Sequence, residues 1–204
     1  MYIPAAFREH DTTKLHDFIE QHSFGLLVSQ SVAEPLASHL PLLLERQSGP
    51  HGTLVGHMAR ANPQWQEAQG KPVLAVFSGP HAYISPTWYQ AEQVVPTWNY
   101  AAVHVYGTLD LVEEADRVYE IVRRYVDFYE HSQPQPWQLS ARDAFLDKLL
   151  RQIVGFRIDI SRIEGKWKLS QNHPQERRER VMQALAQRND ADAQAIAELM
   201  QNRR

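Results

Sequence analysis

From Trp98 to Val112 the chain reads as one unbroken extended strand, Trp98-Asn99-Tyr100-Ala101-Ala102-Val103-His104-Val105-Tyr106 leading into Gly107 and Thr108-Leu109. Aromatic and β-branched residues dominate it and proline is absent, as a pleated, partly buried surface requires. Gly107 inside such a run predicts a bulge or a bend, the device that barrel corners use. Shorter runs accompany it. Phe24 to Ser29, Leu40 to Leu44, Thr53 to Met58 and Pro72 to Phe77 read as strands. Gln47-Ser48-Gly49-Pro50-His51-Gly52 is a turn, Gly79-Pro80 is expected to turn the chain after Phe77, and His81 to Ser85 follows as a short strand that Pro86 stops. Phe156, Ile158 and Ile160 alternate with Arg157, Asp159 and Ser161, a half-buried strand, and Trp167 to Ser170 reads as a separate one.

Helical signals lie between and after these runs. Thr12 or Thr13 is placed to cap a helix with Leu15, Phe18 and Ile19 on one face. Asn62-Pro63 opens a short helix. Val118, Ile121, Val122, Tyr125 and Tyr129 follow helical spacing, and Ser140 to Asp143 has a capping-box pattern ahead of Phe145, Leu146, Leu149 and Leu150. Two polar helices from about residue 174 close the chain. The expectation is a mainly β, α+β fold: a small barrel with helical additions, a single domain over residues 1–204, with His131 to Pro136 joining two helices inside it.

Composition narrows the function classes. The net charge is −3, which is no electrostatic footprint for nucleic acid. Cysteine is absent, which excludes disulfides, thiolate metal sites and a cysteine nucleophile. The ten histidines show no His-x-x-x-His or His-x-His pair, so no metal is expected. There is no Gly-x-Gly-x-x-Gly, no phosphate-binding Gly-rich Lys loop and no Gly-x-Ser-x-Gly elbow. No apolar run approaches the roughly 20 residues a bilayer span needs, and the N-terminus lacks a signal peptide's apolar core, so a cytoplasmic protein is expected.

Chemistry concentrates in four blocks and a fifth string. Ser38-His39-Leu40-Pro41 is a strand edge beside a proline, suited to hydrogen-bonding a flat heterocycle, and equally readable as a plain edge strand. Gly56-His57-Met58-Ala59-Arg60-Ala61-Asn62 puts a strand end, a cation and a helix start within a few positions. A helix N-terminus attracts phosphate and Arg60 adds a forked donor; an ordinary Asn cap beside a surface Arg is the alternative. His81, Tyr83, Trp88 and Tyr89, with Trp98 and Asn99, read as the wall of a pocket, a subunit interface, or both. Lys168-Leu169-Ser170-Gln171-Asn172 offers a cation, a hydroxyl and two amides ahead of Pro174, a set that grips phosphate or a flavin edge, or ends a strand and caps a helix.

In order and spacing, MYIPAAF, HSFGLLVS, GHMARANPQW, GPHAYISPTWY, VPTWNYAAVHVYG, IVGFRIDI and KWKLSQN resemble the PaiB-type family, described as FMN-binding negative transcriptional regulators. The resemblance runs nearly end to end. It implies a flavin split barrel related to pyridoxamine-phosphate oxidases, working as a homodimer with FMN between the subunits. It implies that the Lys168–Asn172 motif, with Lys168, Ser170, Gln171 and Asn172, faces the cofactor and that the strand and turn carrying His57, Arg60 and Asn62 hold its phosphate; Ser38, His39, Leu40, His81 and Trp98 join them as cofactor-binding candidates from the readings above. It also implies a regulatory role, and through that label a DNA partner. The chain itself shows no helix-turn-helix signature, and its most basic stretch, Glu176-Arg177-Arg178-Glu179-Arg180, is interrupted by glutamates and reads as a solvated helix face, with Arg203-Arg204 at the end. Three readings follow: an FMN-binding regulator or sensor, favoured; a flavoenzyme of the flavin reductase or pyridoxamine-phosphate oxidase type, with catalytic residues unassigned; and a flavin-free interaction module.

Overall fold

A computed structural model describes residues 1–202, so Arg203-Arg204 lie outside the described residues. The elements are β1 (Arg8–Glu9), α1 (Thr12–Gln21), β2 (Phe24–Gln30), β3 (Pro35–Pro41), β4 (Leu43–Glu45), β5 (Thr53–Ala59), α2 (Gln64–Ala68) and β6 (Lys71–Ile84), then β7 (Thr97–Val112), α3 (Ala115–Glu130), α4 (Ala144–Leu150), β8 (Ile153–Lys168), α5 (Gln175–Ala186) and α6 (Ala191–Gln201). All the strands belong to one sheet with the open order β3-β2-β6-β7-β8-β5-β4, and β1 adds to β8. The expected mixed α+β fold is the one the chain adopts. Among the described residues no helix is long and apolar enough to cross a membrane.

The chain forms two compact units: Met1–Phe18, Phe77–His104 and residues from Glu164 onward in the first, Ile19–Val76 and Val105–Ile163 in the second. In the second unit β5 pairs antiparallel with β8, from Thr53↔Asp159 to Ala59↔Ile153, and β4 continues the ladder. Strand alternation buries Leu54, Phe156 and Ile158 completely. Helix α3 seats Val118, Ile121 and Tyr125 in the interior. Burial forces the Tyr125 hydroxyl to find partners, and it lies 2.5 Å from the Pro41 carbonyl and 3.0 Å from that of Val55. The same burial pushes its pKa up, so it stays a neutral donor.

In the first unit β7 buries Asn99, Ala101 and Val103 on one face. Helices α5 and α6 contribute Val181, Leu185, Ile196 and Met200, all fully buried. Phe18 of α1 meets Trp167 edge-on at 5.0 Å. Gly165 makes this contact possible, because a Cβ there would stand 2.2 Å from Leu15 Cδ2 and 2.7 Å from the Trp167 ring.

The structure differs from the sequence expectations at four places. Gly79-Pro80 does not turn the chain: β6 runs straight through it. Buried positions are odd before it (Val73, Ala75, Phe77) and even after it (Ala82, Ile84), so the dipeptide shifts the pleat rather than ending the strand. Proline is tolerated because the β2 ladder covers only Leu74 to Val76, leaving no donor to lose beside Pro80 on that side. The two strands expected at Phe156 and Trp167 are one, β8, bridged across Arg162 to Gly165. The run Leu40 to Leu44 divides at Leu42 instead, whose N–H turns to the Ser23 carbonyl at 2.8 Å. Finally, aspartates cap the helices: Asp11 accepts from Thr13 and Lys14 at α1, and Asp143, not Ser140, accepts from the Leu146 N–H at α4.

Gly107 is explained by close approach. A Cβ there would lie 2.4 Å from the Asp159 carbonyl oxygen and 2.7 Å from Ile158 Cγ2. Gly107→Ala is expected to cost about 1–3 kcal/mol through overpacking. Thermal unfolding should register that as a fall of roughly 2–4 °C per kcal/mol.

Candidate functional site

The first unit carries an unusual pair of cations. Lys166 and Lys168 are two apart on β8 and so share a face. Lys166 is buried, 8% exposed, with its Nζ donating to the Tyr2 carbonyl at 3.2 Å and standing 5.1 Å from the Tyr100 ring centre. Lys168, half-buried, donates to the Trp98 carbonyl at 2.7 Å and to the Thr97 hydroxyl. Neither ammonium has a carboxylate partner among the described residues. Burial, and then repulsion from Lys166, lowers the Lys168 pKa. A second cation would not be placed so close to the first in a partly dehydrated setting without a compensating anion. Several cations of the second unit are matched instead: Arg46 with Glu20 at 2.5 Å, Arg124 with Glu45, Arg142 with Asp116 and Asp147.

Exposed rings stand on the strands nearby. Trp98 is 52% exposed, and His81 and Tyr83 of β6 each lie 5.9 Å from it. The His81 ring also reaches Asp192, in the first turn of α6, at 3.2 Å. Such a patch of large rings on a surface marks a binding or interface face.

The rest of the Lys168–Asn172 string is mostly engaged with itself. Ser170 takes a left-handed conformation, φ 62°, and is buried; its hydroxyl is 3.0 Å from the Asn99 amide nitrogen, which also reaches Met200 Sδ. The Gln171 side chain closes on the Leu169 N–H and the Trp167 carbonyl. Asn172 is exposed. Thus Lys168 alone of the string offers a charge outward, and Lys166, which the sequence reading did not select, joins it. The signal that would have found Lys166 was present: Lys166 and Lys168 at strand spacing, on one face.

The second unit places Ser38, His39, Leu40, His57, Arg60 and Asn62. Ser38 accepts from the Asn62 amide at 2.9 Å, while Asn62 Oδ1 caps the Gln64 N–H at 3.0 Å. Gln64, 1% exposed, then donates to the Leu27 carbonyl and Ser29 hydroxyl, both at 3.1 Å. This chain of bonds ties β3 and β2 to α2. Arg60 donates to the carbonyls of Arg151 and Ile153, each at 2.9 Å, and so binds the end of α4 to the start of β8. Helix α2 is only five residues long, and Asn62 Oδ1 already accepts from its first N–H. His39 is exposed and stacks on Phe24 at 6.1 Å; Leu40 pairs with Gly25. His57 lies apart, edge-on to Tyr125 at 5.0 Å, with its Nδ1 buried and unbonded.

Residues 1–162 match the family described as "Putative FMN-binding domain". The chain belongs to that PaiB-type FMN-binding family. A relative from Bacillus subtilis, "Protease synthase and sporulation protein PAI 2", is 37% identical over all of this chain and 98% of its own length. Two solved structures share the fold at low identity: the flavocytochrome Anf3 from Azotobacter vinelandii (TM-score 0.61, 12% identity, 79% of this chain and 69% of that one) and the FAD and heme binding protein from Mycobacterium smegmatis (TM-score 0.57, 15%, 79% and 73%). The split-barrel fold that the motifs implied is the fold the chain shares with these structures.

Burial lowers the His57 pKa, which fixes the sign of one pH effect. Above about pH 6.5 the ring is neutral in folded and unfolded chains alike. Below it the unfolded chain takes up a proton that the folded chain refuses, so stability falls as the pH drops. His57→Phe should flatten the dependence of the urea midpoint on pH between 7 and 5. It should not abolish it, since burial also lowers His104 and His173.

Proposed function

We propose that this chain binds FMN and acts, as a homodimer, as a flavin-dependent regulator or sensor. The observation that carries the reading is the Lys166–Lys168 pair: two partly dehydrated ammonium groups with no carboxylate, in a family described as FMN-binding. A terminal phosphate dianion answers that charge, and among flavins FMN ends in one. Lys166 and Lys168 would hold the phosphate, with the exposed Trp98, Tyr83 and His81 rings as a wall for flat ligand surface or a partner subunit. Bound FMN would supply electron-transfer chemistry that no side chain here provides. Ser38, His39, Leu40 and Asn62 form the second group of residues we assign to flavin recognition. Arg60, Ser170 and Gln171 act by shaping backbone. The name of the Bacillus subtilis relative, a protein of protease synthesis and sporulation, supports a regulatory role over a metabolic one. Among the described residues, Arg180 in the most basic stretch is taken up by Glu176 and by the Tyr89 carbonyl at 2.9 Å, which gives direct DNA contact no support there.

The test compares FMN with riboflavin, which lacks the phosphate. Lys166→Met and Lys168→Met should each weaken FMN about ten- to a hundredfold while sparing riboflavin, the worth of one charge-assisted contact. Arg60→Ala should lower stability and affect both ligands alike. Wild-type protein that retains no flavin spectrum after FMN is added and washed out would overturn the reading. Rapid bleaching of bound flavin by NADH would move it to the flavoenzyme class. Sedimentation equilibrium should return a dimer mass.

A further inference from the structure

The second unit contains a cavity of about 410 Å³ between α3, α4 and the start of β8. Its walls are Val122, Val126, Leu146 and Ile153, and three of its lining residues are large apolar groups left open to solvent: Trp137 at 57%, Phe145 at 70% and Leu149 at 42%. Large exposed apolar groups gathered around one concavity mark a binding site, and the volume lies in the range of small-molecule pockets. Polar groups at the wall are few: Trp137, Ser140 and Asp143 lie on its exposed rim, and one partly buried group has a sealed, unbonded nitrogen. The Asp143 carboxylate caps α4 at 2.8 Å, and the Ser140 carbonyl accepts from Tyr119.

That partly buried group is His57. Neither ring nitrogen makes a hydrogen bond; Nδ1 is sealed from solvent and Nε2 is the accessible one. Burial keeps the ring neutral near pH 7. A neutral imidazole carries one proton. Nδ1 has no acceptor within reach, so the proton belongs on Nε2, which makes the open side of the ring a hydrogen-bond donor. The Asp143 carboxylate at the same wall disfavours an anion.

We infer that this cavity binds an uncharged, largely apolar small molecule, an aromatic carbonyl compound in chemical class, whose oxygen accepts from His57 Nε2–H. The site is formed by second-unit residues and does not depend on the flavin assignment. A ligand there would touch both α3 and α4, which gives the regulator an effector input separate from the Lys166–Lys168 cations.

The experiment uses the full chain and three probes of one size: acetophenone, ethylbenzene without the carbonyl, and benzoate with a charge. Methyl NMR titration should show saturable shifts at Val122, Val126 and Leu149. Acetophenone should bind about three- to tenfold more tightly than ethylbenzene, the range of one neutral hydrogen bond, and benzoate should bind least. His57→Phe keeps the edge contact with Tyr125. It should leave ethylbenzene binding in place and erase the preference for acetophenone. Leu146→Trp fills the cavity and should abolish binding of all three, with a far-ultraviolet spectrum confirming the fold. No saturable methyl shift up to millimolar probe, or an unchanged acetophenone preference in His57→Phe, would overturn the proposal. So would a change from dimer to monomer on Phe145→Glu, which would give this face to a second copy of the chain.

Discussion

Three strands, β6, β7 and β8, hydrogen-bonded side by side, are the constraint on which the molecule depends. They are 14, 16 and 16 residues long, and each contributes to both compact units. Side chains alternate across a strand, so each strand must choose which residues face inward in each unit. β7 keeps one parity, burying Asn99, Ala101, Val103, Val105 and Leu109. β6 changes parity across Ser78 to His81, and β8 changes it between Ile160 and Gly165. Glycine and proline mark these places because a pleat shift needs backbone freedom and tolerates a missing donor.

Charge distribution singles out the candidate site from the rest of the surface. A guanidinium or ammonium half out of water often faces a carboxylate, as Arg46, Arg124 and Arg142 of the second unit do. Lys166 and Lys168 face carbonyls, a hydroxyl and ring faces instead. These groups orient an ammonium without neutralising it, so the strand keeps its positive charge. The neighbouring Ser170–Asn99 bond and the Gln171 loop closure give the lysines a rigid support.

Much of the architecture was legible in the chain. The alternation of β7 and of Phe156 to Ile160, the helical spacing of α3 and the Asn62-Pro63 start of α2 all follow from local patterns that the structure keeps. Legibility failed where a tertiary neighbour overrode a local signal. Gly79-Pro80 looked like a turn because nothing nearby in sequence shows that β7 lies alongside. Arg162 to Gly165 looked like a break because β1, which pairs with Gly165 and Lys166, comes from the far end of the chain.

The functional residues divide the same way. By itself the sequence determined most strand and helix positions and carried the family motifs, since periodicity and motif order are local properties of the chain. Only the tertiary structure decided which polar groups remain available. Arg60, Ser170 and Gln171 carry the right atoms for a ligand, but distant or looping backbone takes them up. Lys166 carries no sequence signal stronger than its spacing from Lys168, yet burial without a counter-charge sets it apart. The physical reason is that a hydrogen bond or an ion pair depends on where its partner lies in space, and a buried group left unmatched is evident only once every neighbour is in place.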